Sequence, residues 1–467
     1  MRGYQILRRI ITVCIVILTA FFSFMNSALA APVYSGELKP YSVLLIDADS
    51  GAVLVNQNEN EQIEPASTTK IMTCILALES KSLDDEVTIS GNAAGTSGSS
   101  LDLVEGEVVK MGDLLSGMMM ESGNDAATAV AEFVGGDVET FVGMMNAKAQ
   151  VLGMAGTHFA NPHGKHSDDN DHYSTATDMG ILARYAMTNP KFTAIVDQES
   201  YTMPATNKRQ EKTYNNTCFL MRSDKESYYP YATGGKTGST EYAGACLVAM
   251  ASNDEMDLIC LIFKDESTDG ADRWSLAKSL FDFGFNSYST VDVQTLLDKA
   301  AQVQVQIENY ASSDESDGLL EFVGPQTAGT FVTLDKTVVS GILDGTDTVQ
   351  SETAYSKSLQ APVLKGDVLG TVTYKSASTG EELYSGSLIA SRDVLQAGAE
   401  PDASGGTAVT LMDPIDVEEL KTDPAIYYWL LIPGALIVFL VVRLLAVNKR
   451  KRKRFNKRRP HYSYRIK

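Results

Sequence analysis

Three short motifs combine a serine nucleophile with a lysine that can activate it. They are Ser67-Thr68-Thr69-Lys70, Ser122-Gly123-Asn124 and Lys236-Thr237-Gly238, in this order along the chain. A serine hydroxyl is a poor nucleophile until a base takes its proton. Residues three apart on a helix share a face, so Lys70 can lie beside the Ser67 hydroxyl and act as that base. Together the motifs predict acyl transfer through a serine, in a pocket that only the tertiary fold can assemble.

The other residues of the motifs can assist this chemistry. The Ser122 hydroxyl both donates and accepts hydrogen bonds, so it can pass a proton to a leaving amine. The Asn124 amide can hold a substrate carbonyl or orient Lys70. The charge of Lys236, together with the N-terminus of the helix, lowers the pKa of Lys70 toward neutrality. Taken singly, the first two motifs have simpler interpretations, namely a capping serine before a surface lysine and a polar turn.

The third motif is predicted to begin a strand at the edge of a sheet. An extended substrate can pair with such an edge as an added strand. Lys236 and Thr237 then offer a cation and a hydroxyl, and Gly238 has no side chain to obstruct the approach. The backbone N–H groups of Ser67 and Ser239 are predicted to form an oxyanion hole.

Both ends of the chain predict export to the outer side of a membrane. Residues 1–30 carry three arginines, an apolar run and the small-residue site Ala28-Leu29-Ala30, which is typical of a secretory signal. Residues 425–447 are predicted to form a transmembrane helix, and residues 448–467 a basic cytoplasmic tail. A nucleic-acid role for this tail is a less simple explanation than membrane topology. We therefore expect a single-pass membrane protein with an extracytoplasmic catalytic domain.

Charge and cysteine content limit the remaining classes. The whole chain has a net charge of −20, and its basic residues are concentrated at the two ends. The exported body is therefore strongly acidic, which does not favour binding to nucleic acid. The body contains Cys74, Cys218, Cys246 and Cys260. Cys246 and Cys260 could face each other across a hairpin, but we expect four buried free thiols.

A loop rich in histidine invites a metal-binding interpretation. It contains His158, His163, His166 and His172. Their spacing fixes no ligand geometry, so we predict neither a metal nor a cofactor.

The apolar patterns predict two folded domains. Residues 31–290 combine a hairpin around Ser50-Gly51, a buried helix over 71–78, further helices and two late strands, which indicates an α/β domain with a sheet and a helical side. Short alternating runs in residues 291–392 predict a small all-β domain. Residues 393–424, rich in Ala, Gly, Asp, Glu and Pro, predict a flexible acidic linker.

The chain resembles the low-molecular-mass penicillin-binding proteins of the D-alanyl-D-alanine carboxypeptidase family (peptidase family S11). The resemblance extends from about Leu38 to Arg392 and is weaker in the β domain. It rests on segments around the three motifs and on two further ones, namely Thr157-His158-Phe159-Ala160-Asn161-Pro162-His163-Gly164 and His172-Tyr173-Ser174-Thr175-Ala176.

The resemblance implies a fold of the β-lactamase and transpeptidase type, and a role for each motif residue. Ser67 is implied as the acylated nucleophile, Lys70 as its base and Ser122 as the proton shuttle. Asn124, Lys236, Thr237, Gly238, Ser239 and Arg273 are implied as substrate-binding residues. The implied substrate is a peptidoglycan stem peptide ending in D-Ala-D-Ala, with β-lactams as inhibitors.

Two features depart from the family pattern, and three further functions stay open. Asn216 stands where some members have a substrate-binding arginine, and most members end in an amphipathic helix rather than a membrane span. A class A β-lactamase requires a glutamate in a Glu-x-x-Leu-Asn string, which does not occur between Ser122 and Lys236. A transpeptidase of the same superfamily and a non-catalytic peptidoglycan-binding protein stay open as well.

Overall fold

The structure is a computed structural model that describes residues 31–398, apart from residues 167, 168, 170, 324–326 and 328. The predicted signal peptide, transmembrane helix and basic tail lie outside the described residues, as does the linker beyond residue 398. Among the described helices, none is both long enough and apolar enough to cross a membrane.

The N-terminal part of the described chain is an α/β structure, as the sequence predicts. Its strands are β1 (Ser42–Asp47), β2 (Val53–Gln57), β3 (Glu86–Thr88), β4 (Val108–Lys110), β5 (Ser200–Met203), β6 (Lys212–Asn215), β7 (Ala232–Thr240), β8 (Gly244–Ser252) and β9 (Asp257–Asp265). Its helices are α1 (Lys70–Ser80), α2 (Gly91–Ala94), α3 (Met111–Glu121), α4 (Asn124–Gly135), α5 (Val138–Leu152), α6 (Ala176–Met187), α7 (Pro190–Val196) and α8 (Asp272–Ser287).

The central sheet has five antiparallel strands in the order β2-β1-β9-β8-β7. Strand β7, which carries the third motif, therefore lies at the edge, as predicted. The prediction that the motif begins this strand is wrong, because β7 already starts at Ala232 and pairs with β8 before the motif. The predicted hairpin around Ser50-Gly51 is confirmed as β1 and β2, and Gly51 adopts the positive φ of 79° that its turn requires.

The sheet is covered on both faces, so its inner strands are apolar on both sides. Alternate residues of a strand point to opposite faces. Leu44 and Ile46 pack with helix α1 in one hydrophobic cluster, whereas Val43 and Leu45 pack with helix α8 in another. Residues 71–78 of α1 are all buried, which confirms the prediction of a helix that is enclosed on every side. This helix begins at the lysine of the first motif.

The four described cysteines are buried free thiols, as expected. The alternative of a facing pair is wrong. Cys260 is paired with Ala249 in the sheet register, and it packs on the opposite face from Cys246. The two side chains are separated because they occupy alternate sides of a pleated sheet.

The C-terminal part of the described chain is mainly β-structure around a third hydrophobic cluster, which extends from Val291 to Val394. Its strands are β10 (Tyr288–Asp292), β11 (Gln304–Gln306), β12 (Leu319–Val323), β13 (Phe331–Asp335), β14 (Val349–Tyr355), β15 (Val368–Ser376) and β16 (Glu382–Ala390). Five of them form a sheet in the order β11-β12-β16-β15-β14, and β10 pairs with β13 separately. We call this part the β-rich domain; the domain boundaries stay predictions.

The expectation of an all-β domain is wrong, because this part also contains α9 (Val293–Leu297) and α10 (Lys336–Asp344). The sequence around α10 contains residues that start and end helices, but the neighbouring alternating runs favour a prediction of strands. Asp335 caps the helix by accepting a hydrogen bond from the backbone N–H of Thr337, and Gly345 ends it at a φ of 82°. Val338, Val339 and Ile342 form its buried face.

Candidate active site

The Ser67 hydroxyl and the Lys70 ammonium are adjacent. Ser67 lies in a short 3-10 turn, Ala66–Thr69, that leads directly into α1, and Lys70 is the first residue of that helix. The Lys70 Nζ lies 2.9 Å from the Ser67 Oγ. The Thr68 hydroxyl donates to the carbonyl of Pro65 at 2.6 Å, which holds the turn closed. Local chain geometry therefore places the predicted base beside the predicted nucleophile.

Two other segments complete the environment of Lys70. Its Nζ donates to Asn124 Oδ1 and to the carbonyl of His163, both at 2.8 Å. Lys70 is completely buried. Burial lowers the pKa of Lys70 well below its usual value, and the charge of Lys236 lowers it further, against an opposing effect of Asp125. Burial, rather than the Lys236 charge that the sequence indicates, is the larger cause.

Ser122 lies at a strained point of the backbone between α3 and α4. Its φ is 67°, a left-handed value that is uncommon for residues other than glycine. The buried Asp125 carboxylate fixes the neighbouring loop by accepting hydrogen bonds from the backbone N–H groups of Leu101 and Leu103. The Ser122 hydroxyl is buried and has no hydrogen-bond partner among the described residues. This hydroxyl is therefore available to a proton donor or acceptor of the substrate.

Asn124 orients Lys70 rather than facing the pocket through a free amide. Its Oδ1 accepts from Lys70, and its Nδ2 donates to the carbonyl of Ser97 at 2.8 Å. A Cβ atom at Gly98 would lie only 2.4 Å from this Nδ2. Of the two roles that the sequence allows for Asn124, the positioning of Lys70 is the one seen here.

The third motif lies against the nucleophile through its backbone. A Cβ atom at Gly238 would lie 2.8 Å from the backbone nitrogen of Ser67, so a side chain there would displace the nucleophile turn. The Lys236 ammonium is buried and donates to the carbonyl of Thr237 at 2.9 Å, and burial lowers the pKa of Lys236 to about 7. The Thr237 hydroxyl donates to that of Thr217 at 2.8 Å, and Ser239 is exposed.

Arg273, near the start of α8, has unused hydrogen-bonding capacity. Its Nε and Nη1 atoms are buried without a partner among the described residues. The guanidinium lies 4.5 Å from the centre of the Trp274 ring, and burial lowers its pKa. Asn216, by contrast, is buried, and its amide donates to the carbonyl of Gln198 and accepts from the backbone N–H of Cys218. Arg273 is therefore the better-placed group for a carboxylate.

Sequence reasoning missed the part played by His163, which acts through its carbonyl oxygen. This oxygen accepts from Lys70 and lies 3.3 Å from the Ser67 Oγ. The loop approaches closely because Gly164, at a φ of 81°, would place a Cβ atom 1.7 Å from the carbonyl oxygen of Ala66. The glycine after His163 is the sequence signal that could have indicated this contact.

One histidine of this loop, His172, hydrogen-bonds to the turn that carries the nucleophile. His172 accepts from the backbone N–H of Ala160 through Nδ1, so its Nε2 donates to the Thr69 hydroxyl at 2.8 Å. Burial lowers the pKa of His172 to about 4 and that of His163 to about 3, so both are neutral near pH 7. In the described part of the chain, no group of His, Cys, Asp and Glu side chains could hold a metal ion.

The three motifs thus meet around one hydroxyl, in an arrangement that matches a known family. The sequence model of the D-alanyl-D-alanine carboxypeptidase family matches residues 27–267. The chain belongs to this family. The resemblance drawn from the motifs is therefore confirmed. The match to the D-alanyl-D-alanine carboxypeptidase family includes all three motifs and ends before Arg273.

Individual members of the D-alanyl-D-alanine carboxypeptidase family and related solved structures are similar to this chain over most of their own length. The chain is 33% identical over 363 residues to the D-alanyl-D-alanine carboxypeptidase DacF of Bacillus subtilis, which covers 76% of this chain and 86% of the relative. The crystal structure of the D-alanyl-D-alanine carboxypeptidase DacD from Francisella tularensis has a TM-score of 0.65 at 28% identity, covering 80% of this chain and 100% of that one. A mutant of the Streptomyces K15 DD-transpeptidase has a TM-score of 0.50 at 30% identity, covering 54% and 99% respectively.

Proposed function

We propose that the chain is a serine D-alanyl-D-alanine carboxypeptidase, which removes the terminal D-Ala from peptidoglycan stem peptides through an acyl-enzyme on Ser67. The observation that carries the proposal is the Lys70 amine, fully buried and 2.9 Å from the Ser67 Oγ. A lysine whose pKa is lowered in this way is neutral often enough to take the serine proton. Family membership supports the same reaction.

In the acylation step, each group around Ser67 has a distinct task. Lys70 accepts the Ser67 proton as the oxygen attacks the carbonyl of the penultimate D-Ala. The backbone N–H groups of Ser67 and Ser239 stabilise the negative oxygen that develops. Ser122 then passes a proton to the nitrogen of the leaving D-Ala, because its hydroxyl is free to donate and to accept.

Arg273 binds the C-terminal carboxylate of the substrate. A carboxypeptidase must recognise a free C-terminal carboxylate, and the unpartnered Nε and Nη1 of Arg273 can donate to it. Thr237 and Ser239 both lie on β7. The Ser239 hydroxyl can add a donor to the carboxylate, and the Thr237 hydroxyl can do so when it turns away from Thr217. Water then attacks the acyl-enzyme, releasing the shortened peptide, and β-lactams inhibit by forming a stable ester on Ser67.

The competing functions are less well supported. In the described residues, no Asp or Glu side chain hydrogen-bonds to Ser67 or Lys70, and the carbonyl of His163 is there instead. This does not favour a class A β-lactamase, which uses a glutamate for deacylation. A non-catalytic binding protein has no need of a buried lysine beside a serine. Transpeptidation remains the second candidate, since the Streptomyces DD-transpeptidase is among the similar structures.

Labelling with a fluorescent penicillin tests the proposal. The wild type is expected to label at Ser67 and to release D-Ala from a peptide ending in D-Ala-D-Ala. Ser67→Ala should lose both activities while its circular dichroism spectrum is unchanged. Ser200→Ala, at an exposed serine of β5, is the matched control and should keep both. An adduct mapped by mass spectrometry to another residue would refute the assignment of the nucleophile.

We further propose that the enzyme is exported by its signal peptide, residues 1–30, and held by one transmembrane helix, residues 425–447, with the catalytic domain outside the cytoplasm. The support is the apolar run and the basic tail, whose positive charges favour the cytoplasmic side. The acidic linker then separates the folded domains from the bilayer.

Truncation after residue 413 should release a soluble protein that still binds penicillin. In intact cells, protease added outside should cut within residues 393–423 and leave residues 449–467 protected. Extraction of the full-length protein by high salt alone would instead mean that the segment only lies on the membrane surface.

A further inference from the structure

An exposed tyrosine stacks on a histidine at the edge of the active site. The rings of Tyr242 and His166 are 3.8 Å apart between centroids and inclined by 16°. The His166 Nδ1 lies 3.0 and 3.1 Å from the two carboxylate oxygens of Glu64. Tyr242 is 61% exposed, which is unusual for a large aromatic side chain held by such contacts. We call Glu64, His166 and Tyr242 the aromatic wall.

Each member of the wall is close in sequence to a group that touches the nucleophile. Glu64 comes three residues before Ser67. His166 comes three residues after His163, whose carbonyl lies 3.3 Å from the Ser67 Oγ. Tyr242 comes four residues after Gly238, whose backbone packs on the Ser67 nitrogen. Since an extended chain spans about 3.5 Å per residue, the backbone of each member of the wall lies within roughly 10–18 Å of the nucleophile.

The wall lies at the end of the cleft that faces the leaving group. Strand β7 passes Ser67 at Gly238 and ends at Thr240, and Ser239 is paired with Ala245. A Cβ atom at Gly270 would lie 2.3 Å from the Cβ of Ala245 and 2.8 Å from the Nη1 of Arg273. The Arg273 guanidinium is therefore beside the Ser239 end of β7. In the proposed function this guanidinium holds the terminal carboxylate, and Tyr242 follows the same end of β7 in the chain.

We propose that the aromatic wall selects the acceptor of the acyl group, admitting water and the smallest amines and excluding bulky ones. This inference rests on the proposed function. It adds what decides whether the acyl group passes to water, in hydrolysis, or to an amine, in transfer. The leaving D-Ala and an incoming amine occupy the same end of the cleft, because the second step reverses the first with a new nucleophile. If the wall closes this end of the cleft, it leaves room for one small amino acid. If the end is open, it admits an amine with a bulky side chain or a second peptide.

The two outcomes differ only in the nucleophile. In hydrolysis, water attacks the ester carbonyl, the bond to the Ser67 oxygen breaks, and the water proton passes through Lys70 to that oxygen. In transfer, an amine forms the new amide bond, and the amine proton takes the same route to the Ser67 oxygen. Neither outcome requires an oxidant, a reductant or a metal.

Acceptor competition on the full-length protein in detergent tests the inference. The substrate is an acylated L-Lys-D-Ala-D-Ala tripeptide, the competing amines are glycine and D-phenylalanine, and mass spectrometry measures transferred against hydrolysed product. Tyr242→Ala should raise the ratio of D-phenylalanine transfer to hydrolysis about tenfold, the discrimination that a few lost steric contacts represent. His166→Ala, which removes the support of the ring, should act in the same direction. Glycine transfer should change less.

Two controls isolate the wall. Tyr242→Phe keeps the stacked ring and should behave as wild type. Tyr231→Ala removes another exposed tyrosine, which precedes β7 at its opposite end, and should also leave the ratio unchanged. Penicillin labelling of every variant reports whether the site is folded.

The outcomes separate this inference from the proposed function. If all proteins release D-Ala but Tyr242→Ala and His166→Ala keep the wild-type transfer ratio, the aromatic wall does not select the acceptor. If the wild type labels with penicillin but releases no D-Ala, the proposed function fails and the inference fails with it. A raised ratio in Tyr231→Ala would also overturn it, because the effect would not depend on the wall.

Discussion

The Ser67 pocket and the β-rich domain differ in how their buried polar groups are paired. The pocket contains buried polar groups without a partner, whereas those described in the β-rich domain are hydrogen-bonded. In the pocket, Lys70 and Lys236 are buried with lowered pKa values, and Ser122 holds a left-handed backbone with an unpartnered hydroxyl. In the β-rich domain, the Asp335 carboxylate accepts from the N–H of Thr337, and the Ser376 hydroxyl donates to Asp347 at 2.5 Å.

The contrast extends across the described residues. Buried side-chain polar atoms without a partner belong to Ser42, Ser122, Asp171 and Arg273, and none of these lies in the β-rich domain. Two of the four are predicted site residues. Unpaired polar groups and strained backbone reduce stability. At Ser122 and Arg273, a bound substrate can supply the missing hydrogen-bond partners. The β-rich domain has no such unpaired atoms among its described side chains, which suits a structural role.

The largest effect is expected when Lys70 is replaced. Lys70→Met should slow acylation by penicillin roughly 10²–10⁴-fold, the usual contribution of a positioned base. Stopped-flow measurement of the acylation rate checks this. Lys148→Met, at a partly buried lysine that instead pairs with Glu79, should keep the wild-type rate. Equal rates for Lys70→Met and the wild type would mean that the base lies elsewhere.

Gly238→Ala should be the next most harmful change. The new Cβ atom would lie 2.8 Å from the Ser67 nitrogen, and a displacement of the nucleophile by about 1 Å can cost on the order of 10² in rate. Gly143→Ala is the control, since nothing lies within 4 Å of a Cβ atom there. Acylation rates and thermal unfolding of both variants decide whether the pocket is as tightly packed as the structure indicates.

Arg273→Ala should weaken the reaction with peptide more than the reaction with penicillin. The loss of one charge-assisted contact to the terminal carboxylate corresponds to about 1.5–3 kcal/mol, or roughly 10–100-fold in kcat/KM. Arg273→Lys keeps the charge without the planar fork and should recover only part of this loss. An unchanged ratio of peptide to penicillin rates would remove Arg273 from substrate recognition.

The pH profile of acylation should be bell-shaped, because the two lysines act in opposite protonation states. The rate rises with pH as Lys70 loses its proton, and it falls as Lys236 loses the charge that aids binding, at a pKa of about 7 in the free enzyme. Lys236→Gln should move the rising limb to higher pH, because the Lys236 charge lowers the pKa of Lys70. The falling limb should disappear in the same variant. An unmoved rising limb would show that the two lysines are not coupled.

The smallest effect on chemistry is expected from the β-rich domain. Ile342→Ala, in the buried face of α10, should reduce the free energy of unfolding of this domain by about 2–5 kcal/mol, while the acylation rate stays at the wild-type value. Leu343→Ala, at an exposed neighbour, should change stability by less than about 0.5 kcal/mol. A slower acylation rate in Ile342→Ala would contradict the inference that the β-rich domain affects stability and not the reaction.

Much of the fold and of the site could be predicted from local patterns. The hairpin of β1 and β2, the enclosed helix α1 and the edge position of β7 follow from apolar periodicity and turn residues. Helix α10 was missed because its capping residues lie beside strand-like runs. The opposite faces of Cys246 and Cys260 were missed, because the face of each side chain depends on the register of β8 on β9. That register follows from the length of the loop between Ser252 and Asp257, which the Asn253-Asp254 turn signal alone does not give.

By itself, the sequence determined the pairing of Ser67 with Lys70, since three positions on one helical turn bring the two side chains together whatever surrounds them. Only the tertiary structure decided what surrounds them. The bond from Lys70 to the carbonyl of His163 joins residues 93 positions apart, and it exists because Gly164 allows two loops to touch. Burial, which most lowers the pKa of Lys70, is likewise a property of the packed molecule, because desolvation depends on every neighbouring group and not on the local chain.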